Sequence, residues 1–264
     1  MSQQPDGAGP VLYREEGHVA VITLIRPEAR NAVNREVSEG IEAAIDRIEG
    51  NPAIRVGILT GVPPVFSAGA DLKVVGGGGM GGIGTQRGGF GGLVRRQRET
   101  PLIAAVEGPA LAGGCELVLA CDLVVASTAA SFGIPEVKRS IIAAAGGLIR
   151  LPKKLPVNIA MEAALTGDPI SAERAAAFGL VNKLCEPGLA LDEARALADR
   201  IIANAPVAVR ESRRVLLAAA GGTPEETGWE LTAAGAAVVV GSADFEEGVR
   251  AFIEKRQPVW RGEG

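Results

Sequence analysis

The chain predicts an α/β fold, and three features of the sequence lead there. Short β-branched runs alternate with helix-periodic segments through the first half, as when residues 18–24 (HVAVITL) give way to residues 35–50. From about Pro156 onward the pattern turns helical almost throughout. The composition, 47% hydrophobic and 22% charged over 264 residues, supplies a sizeable core, enough for one large domain or one domain with an appendage.

Residues 1–10 (MSQQPDGAGP) read as a disordered tail and lack the basic-then-apolar order of a signal peptide. Residues 18–24 are a strand. The next segment, 35–50, sets Val37, Ile41, Ala44, Ile45 and Ile48 at helical spacing, so one face should be buried. Residues 54–59 form another strand, which runs into a loop punctuated by Pro and Gly, TGVPPVFSAGAD. Two more strand candidates, 102–106 and 123–126, bracket a short helix at 113–120. The helical second half carries one short strand candidate, 180–184, and helices at 192–203, 207–220, 225–240 and 245–255. Those helices either cover the chain's own core or pack against a partner subunit. Residues 76–92 (GGGGMGGIGTQRGGFGG) are too glycine-rich to hold regular structure without a large entropic cost, so a mobile loop is expected. The G-x-G-x-x-G spacing at Gly76, Gly78 and Gly81 is nearly guaranteed in such a run. No helix pattern starts behind it, and it carries no dinucleotide argument.

Several chemistries are excluded or disfavoured. Lys and Arg number 27 against 31 Asp and Glu, a net charge of −4, and aromatics are 3%; neither implies a nucleic-acid partner. The longest apolar-looking stretch, 102–126, is interrupted by Glu107, Glu116 and Asp122, so no membrane span is expected and the chain reads as soluble. Three cysteines give no disulfide framework and suit a reducing, cytoplasmic setting. The single histidine, His18, has no nucleophile on a turn near it, which argues against a Ser-His-Asp or Cys-His machine. Cys115 and Cys121 form no CxxC pair, no HExxH occurs, and no metal site is expected; both cysteines read as small buried hydrophobes. There is no Walker A sequence.

Carboxylates and backbone donors remain. In residues 66–73 (FSAGADLK) small side chains let a ligand approach the main chain. In residues 108–117 (GPALAGGCEL) a glycine pair opens a helix, whose first N–H groups are unpaired and carry partial positive charge. One N–H from each, converging on a carbonyl oxygen, would make an oxyanion hole. From spacing alone a tight turn with close packing is the favoured reading of each segment. Glu116 lies in the first turn of that helix, and Glu136 follows Pro135 in a stretch with few charges, where partial desolvation would raise its pKa. On residue type alone each glutamate is more often a solvated or capping carboxylate than a catalyst.

Taken in order, the segments resemble the crotonase (enoyl-CoA hydratase/isomerase) family. Arg26-Pro27 and Asn31-Ala32-Val33 are similar to its first turn, and residues 66–73 to its CoA-binding loop. Glu107-Gly108 through Glu116-Leu117, backed by Ala120-Cys121-Asp122-Leu123, resembles its second loop and helix. Phe132-Gly133-Ile134-Pro135-Glu136, then AALTG at 163–167 and AFGLVN at 177–182, complete a match of order and spacing over roughly residues 15–260. The resemblance implies a spiral core of ββα repeats over 11–205 and a C-terminal helical region, 206–264, that mediates trimers, often paired into hexamers. It implies an acyl-CoA thioester whose oxygen accepts hydrogen bonds from the Ala70 and Gly113 N–H groups, with Ala68, Asp71, Leu72 and Lys73 lining the CoA loop. Glu116 and Glu136 fall on the two positions that hold water in the hydratase branch. That activity, hydration of a trans-2-enoyl-CoA, needs no metal or redox cofactor, coenzyme A being part of the substrate. A Δ3,Δ2-enoyl-CoA isomerase using Glu136 alone, and an acyl-CoA binder without turnover, are the alternatives. The chain departs from the pattern at Ala143-Ala144, where a Pro-Gly usually precedes Ala-Gly-Gly, and at Glu107, where Asn is usual.

Overall fold

The computed structural model describes residues 9–76 and 82–262. Its main sheet has six strands: β1 (Val11–Glu16), β2 (Val19–Leu24), β3 (Val56–Gly61), β6 (Leu102–Val106), β8 (Leu123–Ser127) and β11 (Lys183–Cys185), in that spatial order. Only β1 pairs antiparallel; every other neighbour is parallel. Parallel strands buried on both faces read as near-continuous apolar runs, and β3 and β6 are buried along their whole length. Alternation nonetheless sorts their side chains. Ala20, Ile22, Leu24, Ala104 and Val106 face the larger core with α1 (Arg35–Gly50), while Val19, Val21, Val56, Ile58, Ile103 and Val125 face Ala194 and Ala198 of α7 (Ala190–Ile202).

A second layer repeats turn by turn. The strands β3, β6 and β8 of the main sheet are each followed by a short pairing segment and then a helical one. β3 leads to Ser67, which bridges Ala110 of β7 (Ala110–Leu111), and then to α2 (Leu72–Gly76). β6 leads to β7, which pairs in parallel with β9 (Ser131–Gly133), and then to α3 (Gly113–Ala120). β8 leads to β9 and to a 3-10 turn at Pro135–Arg139. This succession is the expected spiral of ββα repeats. α4 (Gly147–Lys154), α5 (Val157–Thr166), β10 (Ile170–Ser171) and α6 (Ala172–Ala177) follow, and three helices close the chain: α8 (Pro206–Ala220), α9 (Glu225–Val240) and α10 (Ala243–Glu254). Among the described residues no helix is long and apolar enough to cross a membrane.

Local chemistry accounts for the best-defined helix. Asn34 caps α1 by accepting from Val37 N at 2.9 Å, Glu36 and Arg47 complement the dipole, and Val37, Ile41, Ala44, Ile45 and Ile48 are buried as their spacing predicts.

The glycine-rich segment requires a correction. Residues 77–81, in the first part of the expected loop, lie outside the described residues. Beyond them, β4 (Gly84–Thr85) and β5 (Gly89–Phe90) form a small antiparallel hairpin. Its polar residues supply what glycine cannot. Thr85 Oγ1 donates to Glu42 at 2.5 Å, Arg87 pairs with Glu42 and Asp46, and Arg96 Nη2 reaches Asp46 at 2.7 Å, all on the exposed side of α1.

Candidate active site

The site is built where two backbone segments touch. Ser67 O accepts from Leu111 N at 3.0 Å, and Phe66 N donates to Pro109 O at 3.0 Å, laying residues 66–70 alongside 109–113. The approach is close enough to demand glycine. A Cβ at Gly69, whose φ is +88°, would stand 2.7 Å from Gly113 N, and one at Gly114 would stand 2.2 Å from Ser67 O. Ala70 follows Gly69, the residue that lies against the start of α3. Among the described residues, neither the Ala70 N–H nor the Gly113 N–H donates to a protein acceptor, and no side chain caps α3. The helix is entered through Ala112 at φ 51°, ψ −128°, held by its N–H on Gly133 O at 2.8 Å. The Phe90 ring closes over the same glycine: a Cβ at Gly113 would meet Phe90 Cζ at 2.2 Å.

Glu116 and Glu136 come to this place from different turns of the spiral. Glu116 points from the first turn of α3 and is 3% exposed; Glu136, in the turn after β9, is 8% exposed. Glu116 Oε1 accepts from Gly147 N, the first residue of α4, at 2.8 Å. Burial pushes the Glu116 carboxyl up to about 7; the N–H groups of Gly147 and Ala145 and the Arg150 cation oppose the rise, and the Glu136 charge adds to it. Burial likewise raises Glu136, and its Oε2 is buried without a hydrogen-bond partner among the described residues. An ionised Glu136 therefore makes Glu116 harder still to ionise. Cys115 and Cys121 are buried, as expected, with both thiols pushed up to about 12 chiefly by burial.

The loop residues divide by environment. Leu72 and Lys73 are exposed, and Ala68 is half-buried. Asp71 is engaged within the protein: its Oδ2 meets Arg26 Nη2 at 3.1 Å and its Oδ1 accepts from Lys73 N at 3.2 Å. Arg26 also donates to Ala32 O at 2.6 Å, so this ion pair braces the loop against the first turn. Asn31, almost fully buried, holds the neighbouring chain by donating to Val62 O and Val65 O. The two departures from the family pattern differ in consequence. Ala143 is buried beside Gly147, whose Cβ position lies 3.0 Å from the Ala143 methyl, whereas Ala144 is exposed. Glu107 caps α7, accepting from Gly188 N and from Ala190 N at 3.1 Å. Sequence reasoning missed Phe90, and it met Arg26 and the Gly146-Gly147 pair only as positions of the family pattern, without the contacts they make here.

The enoyl-CoA hydratase/isomerase family model matches residues 14–263. The crystal structure of an enoyl-CoA hydratase from Mycobacterium tuberculosis H37Rv superposes with a TM-score of 0.92 at 47% identity, covering 96% of this chain and 99% of that one. A mevalonyl-coenzyme A hydratase of Aspergillus fumigatus is 40% identical over 256 residues, covering 92% of each chain. A carnitinyl-CoA dehydratase of Salmonella paratyphi A is 39% identical over 252 residues, covering 93% of this chain and 96% of that one. The chain belongs to the enoyl-CoA hydratase/isomerase (crotonase) family.

Proposed function

We propose that the protein is an enoyl-CoA hydratase, adding water to a trans-2-enoyl-CoA to give a 3-hydroxyacyl-CoA. The observation that carries this reading is the burial of two carboxyls, Glu116 and Glu136, the charge of the second adding to the rise of the first, with Glu116 in the first turn of the helix whose Gly113 N–H has no protein acceptor among the described residues. In this reading the thioester oxygen accepts from Ala70 N–H and Gly113 N–H, and water sits between the two glutamates. The water oxygen bonds to the β-carbon while one carboxylate takes its proton. The π electrons shift to an enolate whose charge rests on the two N–H donors, and the other glutamate, protonated, delivers a proton to the α-carbon. A carboxyl raised to about 7 exchanges protons readily near neutral pH. Leu72, Lys73 and Ala68 line the CoA side, with Asp71 bracing them. No metal or redox cofactor is required by these steps, and the free thiols suit a cytoplasmic setting. The differing acyl groups in the relatives' names leave the acyl portion to be chosen by assay across chain lengths and across carnitinyl and mevalonyl thioesters.

The unpartnered Glu136 Oε2, set against a Glu116 tied to Gly147, favours a second reading, an isomerase that shuttles a proton on Glu136 alone. Mutation separates the two. Hydratase chemistry predicts that Glu116→Ala and Glu136→Ala each lower hydration about 10²–10⁴-fold with CoA-thioester affinity largely retained. Isomerase chemistry predicts a nearly silent Glu116→Ala and a severe Glu136→Ala. Hydration undiminished in folded Glu116→Ala would defeat the hydratase reading, and absence of any turnover in the wild type would leave only a binder.

A further inference from the structure

Arg150 stands on α4, the helix whose first N–H is bound to Glu116, and takes no part in the chemistry proposed above. Its guanidinium is half-buried: Nη2 donates to Val94 O at 2.5 Å, and Nη1 lies 3.5 Å from Ala145 O. Its own N–H donates to Gly146 O at 2.9 Å. Gly146 has φ +108°, and a Cβ there would fall 2.2 Å from Nη1, so the guanidinium packs against bare main chain. One side chain thus fastens the segment around Val94 to the 145–147 turn. The next N–H in that turn, on Gly147, is the donor to Glu116 Oε1.

We propose that Arg150 is a positioning residue for the acid–base pair, clamping the 145–147 turn so that the Gly147 N–H stays on Glu116 while its own charge shapes the field there. The proposal rests on Glu116 being an acid–base group. Several charged and titratable groups surround the pair. Glu116 faces Glu136 from the turn after β9, Cys115 on its own helix and Arg150 from α4. Arg150 in turn faces Arg98 and Cys121, with Lys154 one turn along α4 and Asp122 beside Lys154. Burial lifts the Glu116 carboxyl most, and Arg150 is the cation that opposes it. An arginine suits the task because its planar fork serves two carbonyls at once, which a lysine ammonium at the end of a flexible stem does not.

The test compares wild type, Arg150→Met and Arg150→Lys by carbon-13 NMR titration of Glu116 and by steady-state kinetics across pH. In Arg150→Met, Glu116 should titrate at higher pH and the kcat limb it governs should move the same way. kcat should fall roughly 10–100-fold with KM for the CoA thioester little changed. Arg150→Lys, which keeps the charge without the fork, should titrate near the wild type yet recover only part of kcat. A folded Arg150→Met with unmoved Glu116 titration, or with wild-type kcat, overturns the proposal. Should Arg150→Met fail to fold, Arg150→Lys decides alone: lowered kcat at unchanged KM supports the clamp, and wild-type kcat refutes it. The NMR titration needs no turnover, so a chain without hydratase activity would defeat the enzymatic reading and still leave the clamp tested.

Discussion

Glu116 sits where a carboxylate does not want to ionise, and that has a consequence for stability as well as for chemistry. Unfolded, its carboxyl releases its proton near the ordinary 4.5; folded, it holds it up to about 7. Between those values the folded chain binds the extra proton, so stability falls as pH rises through the window. The full cost, on the order of 3 kcal/mol, stands above about pH 7. Glu116→Gln keeps the acceptor for Gly147 N–H and removes the charge, so it should gain stability on the wild type between about pH 5 and about pH 8. Urea midpoints measured at both ends check this, and an equal pH response in the two proteins would refute it. How far was such a residue legible in the sequence? Its place in the first turn of a helix was, because the Gly113-Gly114 opening marks that turn. Its burial was not, because the cover comes from Gly147, 31 residues on, and no local pattern reports a contact of that span. Asp71 teaches the same lesson in reverse: family spacing places it in the ligand loop, while the Arg26 partner that engages its carboxylate lies 45 residues earlier.

At the scale of elements, periodicity found what buries one face and missed what depends on partners. α1 and the main-sheet strands β2, β3, β6 and β8 were readable from apolar spacing, with β3 displaced two residues toward the C-terminus. β1 was not, because VLYREE carries charge in its second half and is a strand only through its register with β2. β7, β9 and β10, of two or three residues each, are too short for any periodicity, yet β7 and β9 are the layer that brings α3 to the site. Elements also meet through charge. Asp122, the residue before β8, accepts from Arg98 Nη1 at 2.6 Å and Leu102 N at 2.8 Å, and lies 3.0 Å from Nε of Arg213 on α8. Arg213 Nη1 adds a bond to Arg98 O at 2.6 Å. Burial raises the Asp122 carboxyl, but the two guanidinium groups outweigh it and hold it below the usual carboxylate range. The stabilisation is therefore complete at neutral pH and lost as pH falls through that lowered value. Asp122→Ala leaves two largely buried guanidinium groups without their carboxylate and should cost roughly 3–5 kcal/mol, read from urea unfolding at neutral pH. A loss no larger than that of an exposed ion pair, such as one from Glu162→Ala beside Arg174, would show that α8 does not depend on this junction.

The whole molecule presents a surface that its own core does not explain. α10 is inside out: its buried positions include Asp244 and Glu247, while Phe245, Val249, Phe252 and Ile253, spaced to share one face, are exposed, Phe252 by 86%. The buried carboxylates are occupied by the chain's own C-terminal segment, Asp244 accepting from Arg261 N at 2.7 Å and Glu247 from Val259 N at 2.8 Å. That segment satisfies the polar face and leaves the apolar one open. α5 shows a second stripe, Val157, Met161 and Leu165, four residues apart and all more than half exposed. Contiguous exposed apolar faces of this kind mark interaction sites in soluble proteins. The sequence left two readings of its C-terminal helices, a cover for the chain's own core or a contact with another subunit, because periodicity reports that a face is apolar and not what lies on it. The exposed stripe on α10 favours the second, in line with the trimer or hexamer that the family resemblance implies. Light scattering at micromolar concentration should therefore give a mass of three or six chains. Phe252→Asp with Ile253→Asp places two charges on the α10 stripe while leaving Asp244 and Glu247 with their partners. That double variant should shift the mass toward the single chain while circular dichroism stays that of the wild type. A monomeric wild type would refute the assembly outright. A double variant that kept the full mass would move the contact away from α10, leaving the α5 stripe as the next face to charge.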